Sequence, residues 1–66
     1  MTFKQNRIQA GLTQEQVAKI LNIDRTAVSK WDLGITRPRA KLLPKVASLY
    51  NCSLDDLLNH KKEETQ

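Results

Sequence analysis

The stretch QEQVAKILNIDRTAVSKWDL, Gln14 to Leu33, carries its apolar residues at Val17, Ala18, Leu21, Ile23, Val28 and Trp31. Val17, Ala18 and Leu21 stand three and four apart, the spacing of one face of an α-helix. Val28 and Trp31 begin a second such face after a break at Asn22-Ile23-Asp24. Asp24 is a good N-cap residue, because its carboxylate can accept hydrogen bonds from the open N–H groups of a new helix. Thr13 suits the same position before the first helix. The stretch therefore predicts two short helices, joined by a turn of about three residues and facing each other through their apolar sides.

Two helices joined in this way form a helix-turn-helix. Here the window resembles the phage repressor and Cro-type (Xre) family of DNA-binding domains. The resemblance rests on Gln14-Glu15, Ala18, Leu21, Ile23, Val28-Ser29 and Trp31, followed by Asp32-Leu33-Gly34 and Pro38. A small residue at Ala18 lets the two helices approach closely. Asn22 departs from the family pattern, which has glycine there, but asparagine is the best non-glycine residue for the left-handed backbone the turn needs. Asp32 departs more mildly, standing where glutamate is commoner. The resemblance implies an all-α, compact five-helix domain of the lambda-repressor type, with the helix-turn-helix at helices 2 and 3.

Outward from this window, Thr2 to Ala10 reads as a first helix with Phe3 and Arg7 on one face. Asn6 stands where relatives carry an apolar residue, so a smaller apolar face is expected. Gly11 ends this helix in the left-handed conformation, and Leu12 packs beneath the next one. Gly34 ends the third helix. The segment ITRPRAK, Ile35 to Lys41, has three cations and a proline and reads as a loop. Proline keeps a helix intact only in its first turn, so Pro44 places the start of the fourth helix near Lys41 to Leu43. That helix runs through Leu43, Val46, Ala47 and Tyr50. Asn51 and Cys52 turn, and Ser53 caps a fifth helix with Asp55 and Asp56 in its first turn and Leu54, Leu57 and Leu58 as its apolar residues. One domain over 1–59 and a polar tail over 60–66 follow.

The chain has 66 residues and a net charge of +4, distributed unevenly. Through Tyr50, nine Lys/Arg face three acids; from Asn51 onward, two lysines face four acids. A basic body suits nucleic acid. The single cysteine, Cys52, allows no internal disulfide and reads as a small buried hydrophobe. His60 stands alone in the polar tail, so no metal site is expected. No cofactor or small-molecule substrate is evident, and no nucleophile–base pairing, glycine-rich phosphate loop or carboxylate constellation suggests an enzyme. No apolar run reaches membrane-spanning length and no signal-peptide pattern opens the chain, so a soluble, cytoplasmic protein is expected.

If the third helix enters a major groove with Val28 and Trp31 turned inward, Arg25, Thr26, Ser29 and Lys30 point out or sideways. The family's base-reading positions match Arg25, Thr26 and Lys30. Arg25 can hold guanine O6 and N7 in a fork, Lys30 can reach the same atoms, and Thr26 offers a hydroxyl and a methyl. Contacts to the DNA backbone are expected from Thr13, Gln14, Ser29, Arg37, Arg39 and Lys41. Arg7 and Asp32 match a structural ion pair of the family. One helix reads only a few base pairs, so a homodimer on a palindromic double-stranded operator is expected, held through Leu54, Leu57 and Leu58. The leading function is a transcriptional regulator, a repressor first. An antitoxin, a restriction-modification controller, or a protein-interaction module that leaves its DNA face unused are the competing readings.

Overall fold

The computed structural model describes residues 2–58; the tail expected over 60–66 lies outside them. Five helices follow one another: α1 Phe3–Gln9, α2 Gln14–Leu21, α3 Arg25–Leu33, α4 Leu43–Leu49 and α5 Leu54–Leu58. No strand occurs among the described residues.

Local chemistry starts most of these helices. Thr2 and Thr13 each head a T-x-x-Q capping box. The Thr13 Oγ1 accepts from the Gln16 N–H at 3.0 Å, and the Gln16 Oε1 accepts from the Thr13 N–H at 2.9 Å. Thr2 and Gln5 make the same pair of bonds at 3.1 and 2.9 Å. Ser53 caps α5, its Oγ accepting from the Asp56 N–H at 3.1 Å. Asp24 is a correction: it occupies the N-cap position of α3 with extended backbone, but its side chain makes no capping hydrogen bond. The carboxylate expected to close the helix is solvent-exposed instead. Pro44 sits in the first turn of α4, where it removes no helical bond.

The first four helices share one way of ending. Gly11, Asn22, Gly34 and Asn51 all have positive φ, between 57° and 76°. In each case the next residue's N–H reaches back five positions, from Leu12 to Arg7, Ile23 to Ala18, Ile35 to Lys30 and Cys52 to Ala47, at 2.9–3.2 Å. This satisfies carbonyls left open at a helix end and folds an apolar residue back against the helix. Leu12, Ile23 and Cys52 pack in this way on the core, whereas Ile35 stays 65 % exposed.

The core comprises Phe3, Val17, Ala18, Val28, Trp31, Val46, Ala47, Tyr50 and Leu57. α2 packs mainly on α3, α1 also on α3, and α5 on α4. The stripe expected of α1 is half polar: Asn6 is buried, and its Nδ2 donates to the Thr2 carbonyl at 3.0 Å. No helix among the described residues is long and apolar enough to cross a membrane.

Candidate nucleic-acid interface

Trp31 and Val28, 4 % and 0 % exposed, anchor one side of α3 and so set its rotation. The opposite side carries Arg25, Thr26 and Lys30, all exposed, with Ser29 half-buried at its edge. Three of the four residues expected to point outward therefore do so fully. Thr26 and Lys30, four apart, share one face of the helix, and Arg25 stands beside them on the solvent side.

Two residues at the edge of this stripe tie it to the core. The buried Arg7 grips Asp32 with a fork: Nε lies 3.1 Å and Nη2 2.8 Å from Oδ2, while Nη1 donates to the Leu12 carbonyl at 2.7 Å. Their side chains are 10 % and 3 % exposed, so the pair is shielded from solvent, and it joins α1 to α3. Asp32 also accepts from Gln14 Nε2 at 2.8 Å, which fixes the orientation of the Gln14 amide. The amide oxygen is thereby turned toward Arg25, whose Nη1 stands 3.4 Å away. That separation is long for a hydrogen bond, so it steers the guanidinium without holding it. The remaining amide hydrogen of Gln14 and the exposed Thr13 stay at the start of α2, available to a phosphate.

Tyr50 is buried in the core, close enough to the pair to feel the charges of Asp32 and Arg7. Its hydroxyl is buried and makes no hydrogen bond among the described residues. Burial, reinforced by the negative charge of Asp32 and opposed by Arg7, pushes its ionisation up to about 12. The ionisation of the Cys52 thiol is also pushed up, by burial first and then by the charge of Asp56.

Beside α3 an open cleft of about 720 Å³ runs between the helix and the segment that follows it. Ile23, Ala27, Trp31 and Leu42 form its floor, and Arg37, Arg39, Lys41 and Lys45 its rim. The three loop cations expected to follow a DNA backbone are thus gathered in one place. Lys45 was missed in the sequence reading. Its one signal is a positive charge close to the loop cations, four residues beyond Lys41. Of the leucines on α5, Leu57 is fully buried, Leu58 is partly buried against the core, and Leu54 is 41 % exposed. No group of His, Cys, Asp or Glu suited to a metal occurs among the described residues.

Comparison with known proteins agrees with this geometry. The helix-turn-helix family model matches residues 3–57. The chain is 38 % identical over 57 residues to the HTH-type transcriptional activator BcrR of Enterococcus faecalis, covering 86 % of this chain and 28 % of that protein. It is 38 % identical over 67 residues to the HTH-type transcriptional regulator ImmR of Bacillus subtilis (strain 168), covering 96 % and 53 %. It is 30 % identical over 62 residues to an HTH-type transcriptional regulator of Archaeoglobus fulgidus, covering 94 % and 87 %. The chain thus spans about a quarter to a half of the length of BcrR and ImmR. No solved structure matches it. With the two-helix window, the inward Trp31 and the outward basic stripe in place, the chain belongs to the Xre-type helix-turn-helix family of DNA-binding transcriptional regulators.

Proposed function

We propose that the domain binds a specific palindromic operator as a homodimer and represses transcription by occupying it. The observation that carries this reading is the outward stripe of α3, with Arg25, Thr26 and Lys30 exposed opposite a buried Trp31. Arg25 and Lys30 supply donors for guanine, and Thr26 supplies a hydroxyl and a methyl. Thr13, Gln14, Ser29, Arg37, Arg39 and Lys41, joined by Lys45, position the helix through phosphates and carry no sequence information of their own. Two copies are needed because one short helix reads too few base pairs to single out a site in a genome. Leu54, exposed on α5, is the apolar residue that meets the second copy. Occupation of DNA excludes other proteins without further contacts, which makes repression the least demanding outcome. The site of action is the nucleoid in the cytoplasm.

Selection of bound duplexes from a random pool tests the proposal. The expected product is a palindrome with half-sites about 34–36 Å apart, one DNA turn, as two successive major grooves require. Affinity should also fall linearly in log–log terms with salt, as counterions are released. Enrichment of no sequence above the starting pool, with binding that depends on salt alone, would leave the domain a non-specific binder and overturn the proposal.

A further inference from the structure

The Gln14 side chain stands between two charged groups and meets both. Its Nε2 donates to Asp32 Oδ2 at 2.8 Å, and its Oε1 faces Arg25 Nη1 at 3.4 Å. The two ends of a glutamine amide have nearly the same shape and opposite hydrogen-bonding character, so size does not decide which end faces Arg25. Asp32 decides it. A carboxylate paired with an arginine only accepts, so it takes the NH2 end and leaves the oxygen for the guanidinium. Asp32 is in turn fixed by the Arg7 fork, with Nε at 3.1 Å and Nη2 at 2.8 Å, and its side chain is 3 % exposed. A shielded ion pair between α1 and α3 thereby reaches the exposed Arg25 through one amide.

We infer that Asp32 is a positioning residue for sequence recognition: through Gln14 it aims Arg25 at its guanine, beyond its part in joining α1 to α3. The inference rests on the reading of Arg25 as a base-reading residue. A guanidinium has five donors and guanine O6 and N7 engage two, so a donor remains for the Gln14 oxygen while the base is held. The separation of 3.4 Å is too long to oppose that move, yet the oxygen's partial charge still draws the guanidinium to its side. Arginine loses much rotamer freedom when it is fixed on a base, and restriction before binding lessens that loss. A reversed Gln14 amide would set its NH2 against the guanidinium, donor facing donor. Asp32→Asn brings this about. The Arg7 donors claim the one oxygen left, and the new NH2 turns the Gln14 oxygen toward itself.

The test uses the full chain and a duplex recovered by selection, with 7-deazaguanine replacing each guanine in turn. This removes the N7 acceptor and keeps base pairing. The wild type should lose about tenfold in affinity at one guanine to which Arg25→Ala is indifferent, which identifies the base that Arg25 reads. Asp32→Asn should lose most of that discrimination, and so should Gln14→Leu, which leaves the Arg7–Asp32 pair intact. In the Gln14→Leu background, Asp32→Asn should change the discrimination no further, whereas a tilt of α3 from a broken ion pair would act with or without Gln14. Discrimination is a ratio of affinities, so the phosphate contact proposed for Gln14 cancels from it. Circular dichroism on heating checks that each variant is folded under the binding conditions. If Asp32→Asn is not, Gln14→Asn takes its place: it keeps the ion pair and an amide, but is too short to reach Asp32 and Arg25 together, and should lose the discrimination. Full discrimination in folded Asp32→Asn, Gln14→Leu or Gln14→Asn overturns the inference, as does a further loss in the double variant. If no guanine responds in the wild type, the base-reading role of Arg25 falls first, and the inference with it.

Discussion

Arg25 is held lightly, which suits the base-reading role proposed for it. The Gln14 amide oxygen, 3.4 Å from Nη1, is too distant to hold the guanidinium firmly, so little would be lost on a move to guanine under the proposed reading. Arg25→Ala should therefore cost about 1–3 kcal/mol on the specific site and relax preference at one base pair. Titration against specific and random duplexes reads this; an equal loss on both would reduce Arg25 to a phosphate contact. Tyr50 presents the reverse situation, a polar atom buried without a partner among the described residues. Its ionisation is raised from 10.0 to about 12, so the folded chain favours the neutral phenol. The stability this supplies is complete below pH 10 and is lost as pH rises from 10 toward 12. The loss should reach up to about 3 kcal/mol. Tyr50→Phe should change stability little at pH 7, because the phenol oxygen it removes has no bond to lose. Urea unfolding at rising pH should show the variant overtaking the wild type above pH 10; parallel curves would refute the assignment.

At the scale of elements, the shared helix ending explains why four short helices hold their places. Each of Gly11, Asn22, Gly34 and Asn51 turns the chain with a positive φ and sends the next residue back against the helix. A Cβ added at Gly34 would meet nothing within 4 Å, so space is no obstacle. Its φ of +76° is the obstacle, since a side chain there strains the backbone. Gly34→Ala should cost roughly 1–2 kcal/mol, measured by thermal unfolding, with α3 otherwise intact. A neutral result would mean that the end of α3 frays without consequence. Gly11, Gly34 and Asn22 are legible from the sequence, because glycine and asparagine are the residue types that a left-handed helix end needs and each follows a helical stretch. Asn51 reads along the chain only as part of a turn, and Asp24 stands at an N-cap position without making the capping bond expected of it. Residue type sets which caps are available; the rotamer chosen in the folded chain sets whether the bond forms.

For the molecule as a whole, small size makes each core residue expensive to lose. Trp31 packs within the core formed by all five helices, and in so small a domain little stability is held in reserve. Trp31→Ala should remove about 3–5 kcal/mol and abolish cooperative melting by circular dichroism. A variant still melting cooperatively would place Trp31 outside the core and force α3 to be rotated. The same shortage of core makes a dimer useful. Wild-type chain should sediment as a dimer at micromolar concentration without DNA, and Leu54→Glu should sediment as a monomer. A wild type still monomeric near millimolar would remove the preformed dimer and leave DNA binding untouched.

The helix-turn-helix, the rotation of α3 and the outward placement of Arg25, Thr26 and Lys30 could all be read along the chain. They follow from apolar spacing and turn chemistry that lie within a few residues of one another, so the sequence shows which side of α3 the core must take. Contacts across long separations could not be read in this way. The bond from Gln14 to Asp32 spans 18 positions, and the fork of Arg7 on Asp32 spans 25, though family resemblance suggested that pair. Arg37, Arg39 and Lys41 were visible as a cluster, but their arrangement with Lys45 round one cleft comes from the loop closing over Ile23, Ala27 and Trp31. Leu33 and Ile35 carry the same apolar signal as core residues and end up exposed. Hydrophobicity states what a side chain gains by burial, whereas packing geometry decides which side chains find room.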